Sequence, residues 1–96
     1  MTKQIVVYSK LGCPFCIKTK NFFDKLNVPF KEIKLDPDDP CYTSKRDYLF
    51  NNSKHRSFPI IFIGSTLLGG FSDLENAYDT LKLHKLCTDI NIYIHK

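Results

Sequence analysis

An α/β fold with the element order β-α-β-α-β-β-α is predicted by three observations in this 96-residue sequence. Short β-branched or apolar runs alternate with segments whose apolar residues recur at helical intervals, prolines and glycines mark the borders, and no repeat, linker or low-complexity stretch interrupts the pattern. With 43% hydrophobic residues, a chain of this length builds one core without a disulfide scaffold. The sequence reads as a single domain over 1–96, with a motif-bearing core at about 4–86 and a tail at 87–96.

The first strand is Gln4-Ile5-Val6-Val7-Tyr8, rich in β-branched side chains. A helix opens after Cys13 with Cys16, Thr19, Phe23 and Leu26 on one stripe, and Pro14 suits its first turn, where an N–H would have no helical partner. Asn27-Val28-Pro29 ends that helix. Phe30-Lys31-Glu32-Ile33-Lys34-Leu35 then alternates like a half-buried strand, so this β-α-β unit pairs its strands in parallel. The turn Asp36-Pro37-Asp38-Asp39-Pro40 sets acidic residues ahead of a second helix at about Cys41 to Asn52. A third strand runs from Ser57 to Gly64, led by Pro59, and a tight turn leads into Thr66-Leu67-Leu68. Gly69-Gly70 breaks the chain before a last helix from about Ser72 to Leu86, carried by Leu74, Tyr78, Leu81 and Leu86. In the tail, Ile90, Ile92 and Ile94 alternate with Asn91, Tyr93 and His95 as in a strand, whereas Leu83, Cys87, Ile90 and Ile94 fit a helical stripe. Both remain open, and a strand there would pair on a sheet edge or with a second copy.

Composition narrows the function. The longest strongly apolar stretch, Phe58 to Ile63, is too short to span a membrane, and no charged-then-apolar segment with a cleavage site precedes the first strand. Four cysteines in such a chain suggest a reducing compartment and thiols kept for chemistry, so the expected location is cytoplasmic. The formal charge is +4, from 14 basic and 10 acidic residues. Lys10, Lys18, Lys20, Lys25, Lys31 and Lys34 gather near the first thiols. With no arginine cluster, zinc-finger spacing or aromatic stacking motif beside them, they suit a small acidic ligand better than nucleic acid. Lys18, Lys20 and Lys25 also fit a plain solvated helix face.

The chemistry centres on Cys13-Pro14-Phe15-Cys16. Two thiols at that spacing lie on one helical face, so a reversible disulfide can form between them. Cys13 sits at a helix N-terminus, where unpaired N–H groups and the helix dipole favour a thiolate. A stabilised thiolate is more abundant but less nucleophilic, so the benefit lies in its quality as a leaving group. Cys16, one turn inside the helix, is expected to be the more buried thiol.

Three separated motifs, Lys10-Leu11-Gly12-Cys13-Pro14-Phe15-Cys16, Arg56-Ser57-Phe58-Pro59 and Gly69-Gly70-Phe71-Ser72-Asp73-Leu74, resemble a dithiol glutaredoxin over about residues 4–86. The resemblance implies a thioredoxin-like fold with a four-stranded mixed sheet flanked by helices. It also implies glutathione-dependent reduction of protein disulfides and of glutathione mixed disulfides. By position, Cys13 resembles the nucleophile and Cys16 the resolving thiol. Lys10 resembles the family's basic contact to a glutathione carboxylate. Arg46, twelve residues before Phe58, resembles the helix residue that reaches the glycine carboxylate. Phe58-Pro59 resembles the Val-Pro pair whose proline is cis and whose preceding backbone pairs with the cysteinyl unit. Gly70, Ser72 and Asp73 resemble the segment holding the γ-glutamyl end. Phe15 replaces the usual tyrosine among the glutathione contacts, Ser57-Phe58 replaces Thr-Val, and His55 replaces a common glutamine.

Glutathione is thus the implied reducing co-substrate, with no metal, and Lys10, Arg46, the helix start and Asp73 match its two carboxylates and one ammonium. The implied partners are glutathionylated or disulfide-containing proteins, ribonucleotide reductase being a family expectation. The implied protein is a monomer acting on neither nucleic acid nor membrane. A zinc module built from Cys13, Cys16, His84 and Cys87 is a second reading. An iron–sulfur cluster bridged between two copies through Cys13 is another, and Pro14 counts against it. A thioredoxin-type reductase is a third, but the chain has no tryptophan and lacks the Trp-Cys-Gly-Pro-Cys pattern. Cys41 and Cys87 read as passive thiols, Cys41 being oxidisable if exposed. His55, His84 and His95 show no triad or metal spacing, and Arg56 reads as structural.

Overall fold

In the computed structural model, which describes residues 3–53 and 55–94, the chain runs β1 (Ile5–Lys10), α1 (Pro14–Lys25), β2 (Lys31–Leu35), α2 (Tyr42–Ser53), β3 (Ile60–Ile63), β4 (Thr66–Gly69), α3 (Phe71–Asp79) and α4 (Lys82–Thr88). The sheet order is β2-β1-β3-β4. β1 runs parallel to β2 and antiparallel to β3, and β3 runs antiparallel to β4, which is the expected mixed sheet. In register, Val7 sits between Glu32 of β2 and Ile61 of β3.

Strand alternation decides which side chains build the core. Ile5 and Val7 of β1 join Ile61 and Ile63 of β3, Phe23 of α1, Leu74 of α3, and Leu83 and Cys87 of α4 in one buried cluster. Phe23 is fully enclosed, and Phe22 beside it meets Phe71 and Tyr78 edge-on. The opposite face carries Tyr8, Ile33 and Leu35 against α2. That helix is lightly held, Ser53 being its one buried residue. Among the described residues, no helix is long and apolar enough to cross a membrane.

The helix ends explain where the elements stop. Asn27 takes a left-handed conformation (φ 55), and the Val28 N–H closes on the Phe23 carbonyl at 3.1 Å, a Schellman-type end to α1. The helix expected over 72–86 divides in two. Thr80 caps α3 and Leu81 turns left-handed (φ 66) before α4. A continuous helix would put Leu83 roughly 180° and Cys87 roughly 140° away from Leu74 at about 100° per residue, and the break turns both sets onto the core.

The tail begins inside α4, through Thr88, and its described remainder, 89–94, is neither strand nor helix. Asn91 (φ 63) ends α4 with the Ile92 N–H on the Cys87 carbonyl at 2.8 Å, and Ile90, Ile92 and Ile94 pack against the core. His95, part of the expected alternation, lies outside the described residues. β3 starts at Ile60 rather than Ser57, since Pro59 has no N–H for a ladder bond.

Candidate active site

At the end of β1, Gly12 (φ +74) turns the chain through a region that side chains disfavour and delivers Cys13 to the N-cap of α1. Cys13 is extended (φ −106, ψ 105), Pro14 enters the first turn, and the Cys13 sulfur accepts a hydrogen bond from the Cys16 backbone N–H at 3.2 Å. One helical turn leaves the two Cα atoms 5.3 Å apart, and Cys13 and Cys16 are joined as a disulfide. Both are buried, Cys16 (4% exposed) more than Cys13 (8%), as expected. The Cys13 sulfur lies 3.8 Å from the Phe58 carbonyl oxygen. The Phe58-Pro59 bond is cis.

Two clefts meet beside these thiols at Ser57 and Phe58. One, of about 390 Å³, runs from Cys13 toward α2 and is lined by Lys10, Arg46, Phe50 and Arg56. Arg46 lies over the rings of Tyr42 (5.6 Å) and Phe50 (6.0 Å) and pairs with Asp47 at 3.2 Å, so its guanidinium is held against the cleft wall. The other, of about 350 Å³, runs from Phe15 and Pro59 toward Gly70 and Ser72 at the start of α3. Asp73 turns one carboxylate oxygen back onto the Gly70 N–H at 2.9 Å. Gly69 (φ +121) leaves room for it, because a Cβ there would collide with that carboxylate.

Lys10, Cys13, Arg46 and Phe58 thus line the first cleft, and Phe15, Phe58, Pro59, Gly70 and Ser72 the second, while Cys16 lies behind Cys13 and Asp73 caps α3 next to the second cleft. Other contributors were passed over. Arg56, read as structural, lines the cationic cleft, and Tyr42 and Phe50 shape it. His55 lines the opposite cleft, and its Nε2 is buried without a hydrogen-bond partner among the described residues. A Cβ on Gly70 would lie 3.1 Å from that nitrogen. For His55 and Arg56 the signal was proximity in sequence to Pro59, whereas Tyr42 and Phe50 arrive from α2.

Outside the groove, the geometry does not favour the zinc reading. Cys87 is enclosed in the core, where burial pushes its thiol up to about 11, and no group of three or more candidate ligands assembles among the described residues. Cys41 is exposed.

The family model described as Glutaredoxin matches residues 5–68. The chain belongs to the glutaredoxin family. It is similar to glutaredoxin 1 of Rickettsia bellii, with 37% identity over 83 residues, covering 85% of this chain and 84% of that one. It is also similar to glutaredoxin-1 of Sus scrofa, with 39% identity over 79 residues, covering 78% of this chain and 73% of the relative. Among solved structures, the buckwheat glutaredoxin–glutathione complex superposes with a TM-score of 0.84 at 26% identity, covering 94% of this chain and 81% of that one. The thioredoxin-like fold expected of a glutaredoxin is the fold observed. The Cys13–Cys16 pair fits the Cys-X-X-Cys active site of a thiol–disulfide oxidoreductase.

Proposed function

We propose that this glutaredoxin reduces glutathione mixed disulfides and protein disulfides, with glutathione as its reducing co-substrate. The observation that carries the reading is the order of charge along the groove. Lys10, Arg46 and Arg56 line the cleft that reaches Cys13, and the cleft beyond Phe58 is lined by Gly70 and Ser72 with Lys18 and Glu75, beside the Asp73 cap of α3. Glutathione has a carboxylate at its glycine end and both a carboxylate and an ammonium at its γ-glutamyl end. In this reading Lys10 and Arg46 take the glycine carboxylate, and the Phe58 backbone pairs with the cysteinyl unit. The start of α3 with Ser72 takes the second carboxylate, Asp73 takes the ammonium, and Phe15 covers the bound tripeptide. The glutathione bound in the buckwheat relative supports the choice of ligand.

The chemistry follows from the thiol positions. The Cys13 thiolate attacks the glutathione sulfur of a mixed disulfide, and the partner's thiolate leaves and takes a proton from water. A second glutathione thiolate then attacks the glutathione sulfur held on Cys13, forming glutathione disulfide and expelling the Cys13 thiolate. The Cys16 N–H and the α1 N-terminus favour that leaving group. For a protein disulfide, the Cys13 thiolate attacks one partner sulfur and expels the other as a thiolate. Cys16 then attacks the Cys13 sulfur, forming the Cys13–Cys16 disulfide and expelling the second partner thiolate, and two glutathiones restore the dithiol in two exchanges, leaving as glutathione disulfide. The proposed protein acts as a monomer in a reducing compartment such as the cytoplasm, without a metal, and ribonucleotide reductase is one protein substrate to be tried.

The test is NADPH consumption coupled through glutathione reductase, on a glutathione mixed disulfide, for wild type, Cys13→Ser and Cys16→Ser. Activity lost in Cys13→Ser and kept in Cys16→Ser is expected. No glutathione-dependent turnover by the wild type, with iron or zinc in the purified protein, would overturn the reading in favour of a metal-binding module.

A further inference from the structure

A second groove, of about 280 Å³, reaches the Cys13–Cys16 pair between α1 and β2, on the side of β1 away from β3. It shares Lys10, Gly12 and Cys13 with the cationic cleft but no residue of α2 or of the Ser57-Phe58-Pro59 segment. Its mouth is both apolar and basic. Leu11 is 48% exposed and Ile17 is 60% exposed, an unusual pair of bare aliphatic side chains beside a reactive centre. Lys10, Lys20 and Lys34 line it against one carboxylate, Glu32. That carboxylate is already engaged, accepting from the Ser9 hydroxyl at 3.0 Å and lying 3.9 Å from Lys34. Lys10 and Lys20 have no ion-pair partner among the described residues.

We infer that this groove docks a cysteine-bearing segment of a disulfide-containing protein, one with an aliphatic side chain and carboxylates flanking the cysteine. Glutathione has no aliphatic side chain to cover Leu11 and Ile17, whereas a polypeptide segment does, and its carboxylates complement the lysines. The inference rests on the proposed protein-disulfide activity and names the face that selects its partners. In the step served, the Cys13 thiolate attacks one sulfur of the partner disulfide. A Cys13–partner bond forms and the partner's S–S bond breaks, releasing one partner thiolate. Cys16, giving its proton to water, then attacks the Cys13 sulfur and releases the second thiolate. Two electrons pass from the dithiol to the partner, and water protonates both partner thiolates.

The experiment is a single-turnover oxidation of the pre-reduced full chain by a disulfide-bonded peptide, quenched in acid and read by mass. One peptide carries Leu and two Glu beside a cysteine, and its control carries two Lys in place of the Glu. The acidic peptide is expected to react about tenfold faster, an advantage that shrinks at high salt. The double variant Lys20→Glu/Lys34→Glu should reverse that preference and leave the small neutral 2-hydroxyethyl disulfide within about twofold of wild type. Ile17→Asp should slow the acidic peptide alone. Equal rates for the two peptides with wild type would overturn the inference, as would a double variant that still prefers the acidic one. A matching loss on the small disulfide would overturn it too, since the lysines would then act on the Cys13 thiolate. No glutathione is present, so failure here leaves the glutathione reading standing, and failure of the NADPH assay leaves this result interpretable.

Discussion

The Cys16 backbone N–H points at the Cys13 sulfur from 3.2 Å, so Cys16 meets Cys13 through its main chain as well as through the disulfide. That N–H belongs to the first turn of α1 and is shared between the Cys13 sulfur and the Cys13 carbonyl, which also lies at 3.2 Å, and the turn contains no acidic residue. After reduction the same donor faces a thiolate. Cys13 should therefore titrate well below the range of a free cysteine. Because the donor is main chain, Cys16→Ser should keep most of that effect. Thiolate absorbance of reduced Cys16→Ser against pH is the measurement, and titration in the free-cysteine range would remove the leaving-group argument.

Asp73 carries two tasks that substitution can separate. Its carboxylate caps the Gly70 N–H at 2.9 Å and, in the proposed function, meets the ammonium of glutathione. Asp73→Ala removes both and should cost about 0.5–2 kcal/mol, a fall of several degrees in Tm, since roughly 4–8 °C corresponds to 1 kcal/mol in a domain of this size. Asp73→Asn keeps an acceptor for the cap and loses the charge. Its Tm should stay within a few degrees of wild type while the KM for the mixed disulfide rises severalfold. Thermal unfolding and steady-state kinetics on the two variants check this, and an unchanged KM in Asp73→Asn would confine Asp73 to capping.

Strands and the thiol helix were legible because their signals are local. Ile5-Val6-Val7 is a β-branched run, Phe30 to Leu35 alternates, and Pro14 and Asn27 bracket α1 with the chemistry of helix ends. The break at Leu81 was not read, since no glycine or proline marks it and a leucine accepts the left-handed conformation there. A phase test of the apolar stripe would have found it, because Leu74 and Leu83 cannot face one core on one straight helix. The tail failed differently. Its isoleucines pack on the core from an irregular path, and periodicity cannot register that. At the site, motifs located the residues near Cys13, Pro59 and Gly70, but Tyr42 and Phe50 reach the groove only through tertiary placement of α2.

Arg46 tests how the cationic end works. Its guanidinium is braced by Tyr42, Phe50 and Asp47 on a helix that buries little, so it contributes mainly to the groove. Arg46→Ala should raise the KM for the mixed disulfide about tenfold, the equivalent of ~1.4 kcal/mol, with kcat changed less than about twofold. Stability should move by no more than about 0.5 kcal/mol. Arg46→Lys should recover little, because a lysine lacks the planar fork and the ring stacking. Steady-state kinetics decides the matter, and a fall in kcat at constant KM would place Arg46 in the chemical step rather than in binding.

Cys87 gives the fold a sensitivity to alkaline pH. Burial raises its thiol from the ordinary 9.0 to about 11, so the native state holds a proton that the unfolded chain has already released in that window. A raised folded value means that the contribution to stability is complete below about pH 9 and lost as pH climbs toward about 11. The loss attributable to this one group is roughly 1–2 kcal/mol. Cys87→Ala, with no thiol to ionise, escapes it. The variant should therefore be less stable than wild type near pH 7 because of the space it leaves in the core, and the gap should narrow between pH 9 and 11. Denaturant unfolding at pH 7, 9 and 10.5 measures that gap. In the native protein at pH 8, iodoacetamide should label the exposed Cys41 and spare Cys87. A constant gap together with ready labelling of Cys87 would show that α4 opens enough to expose its thiol.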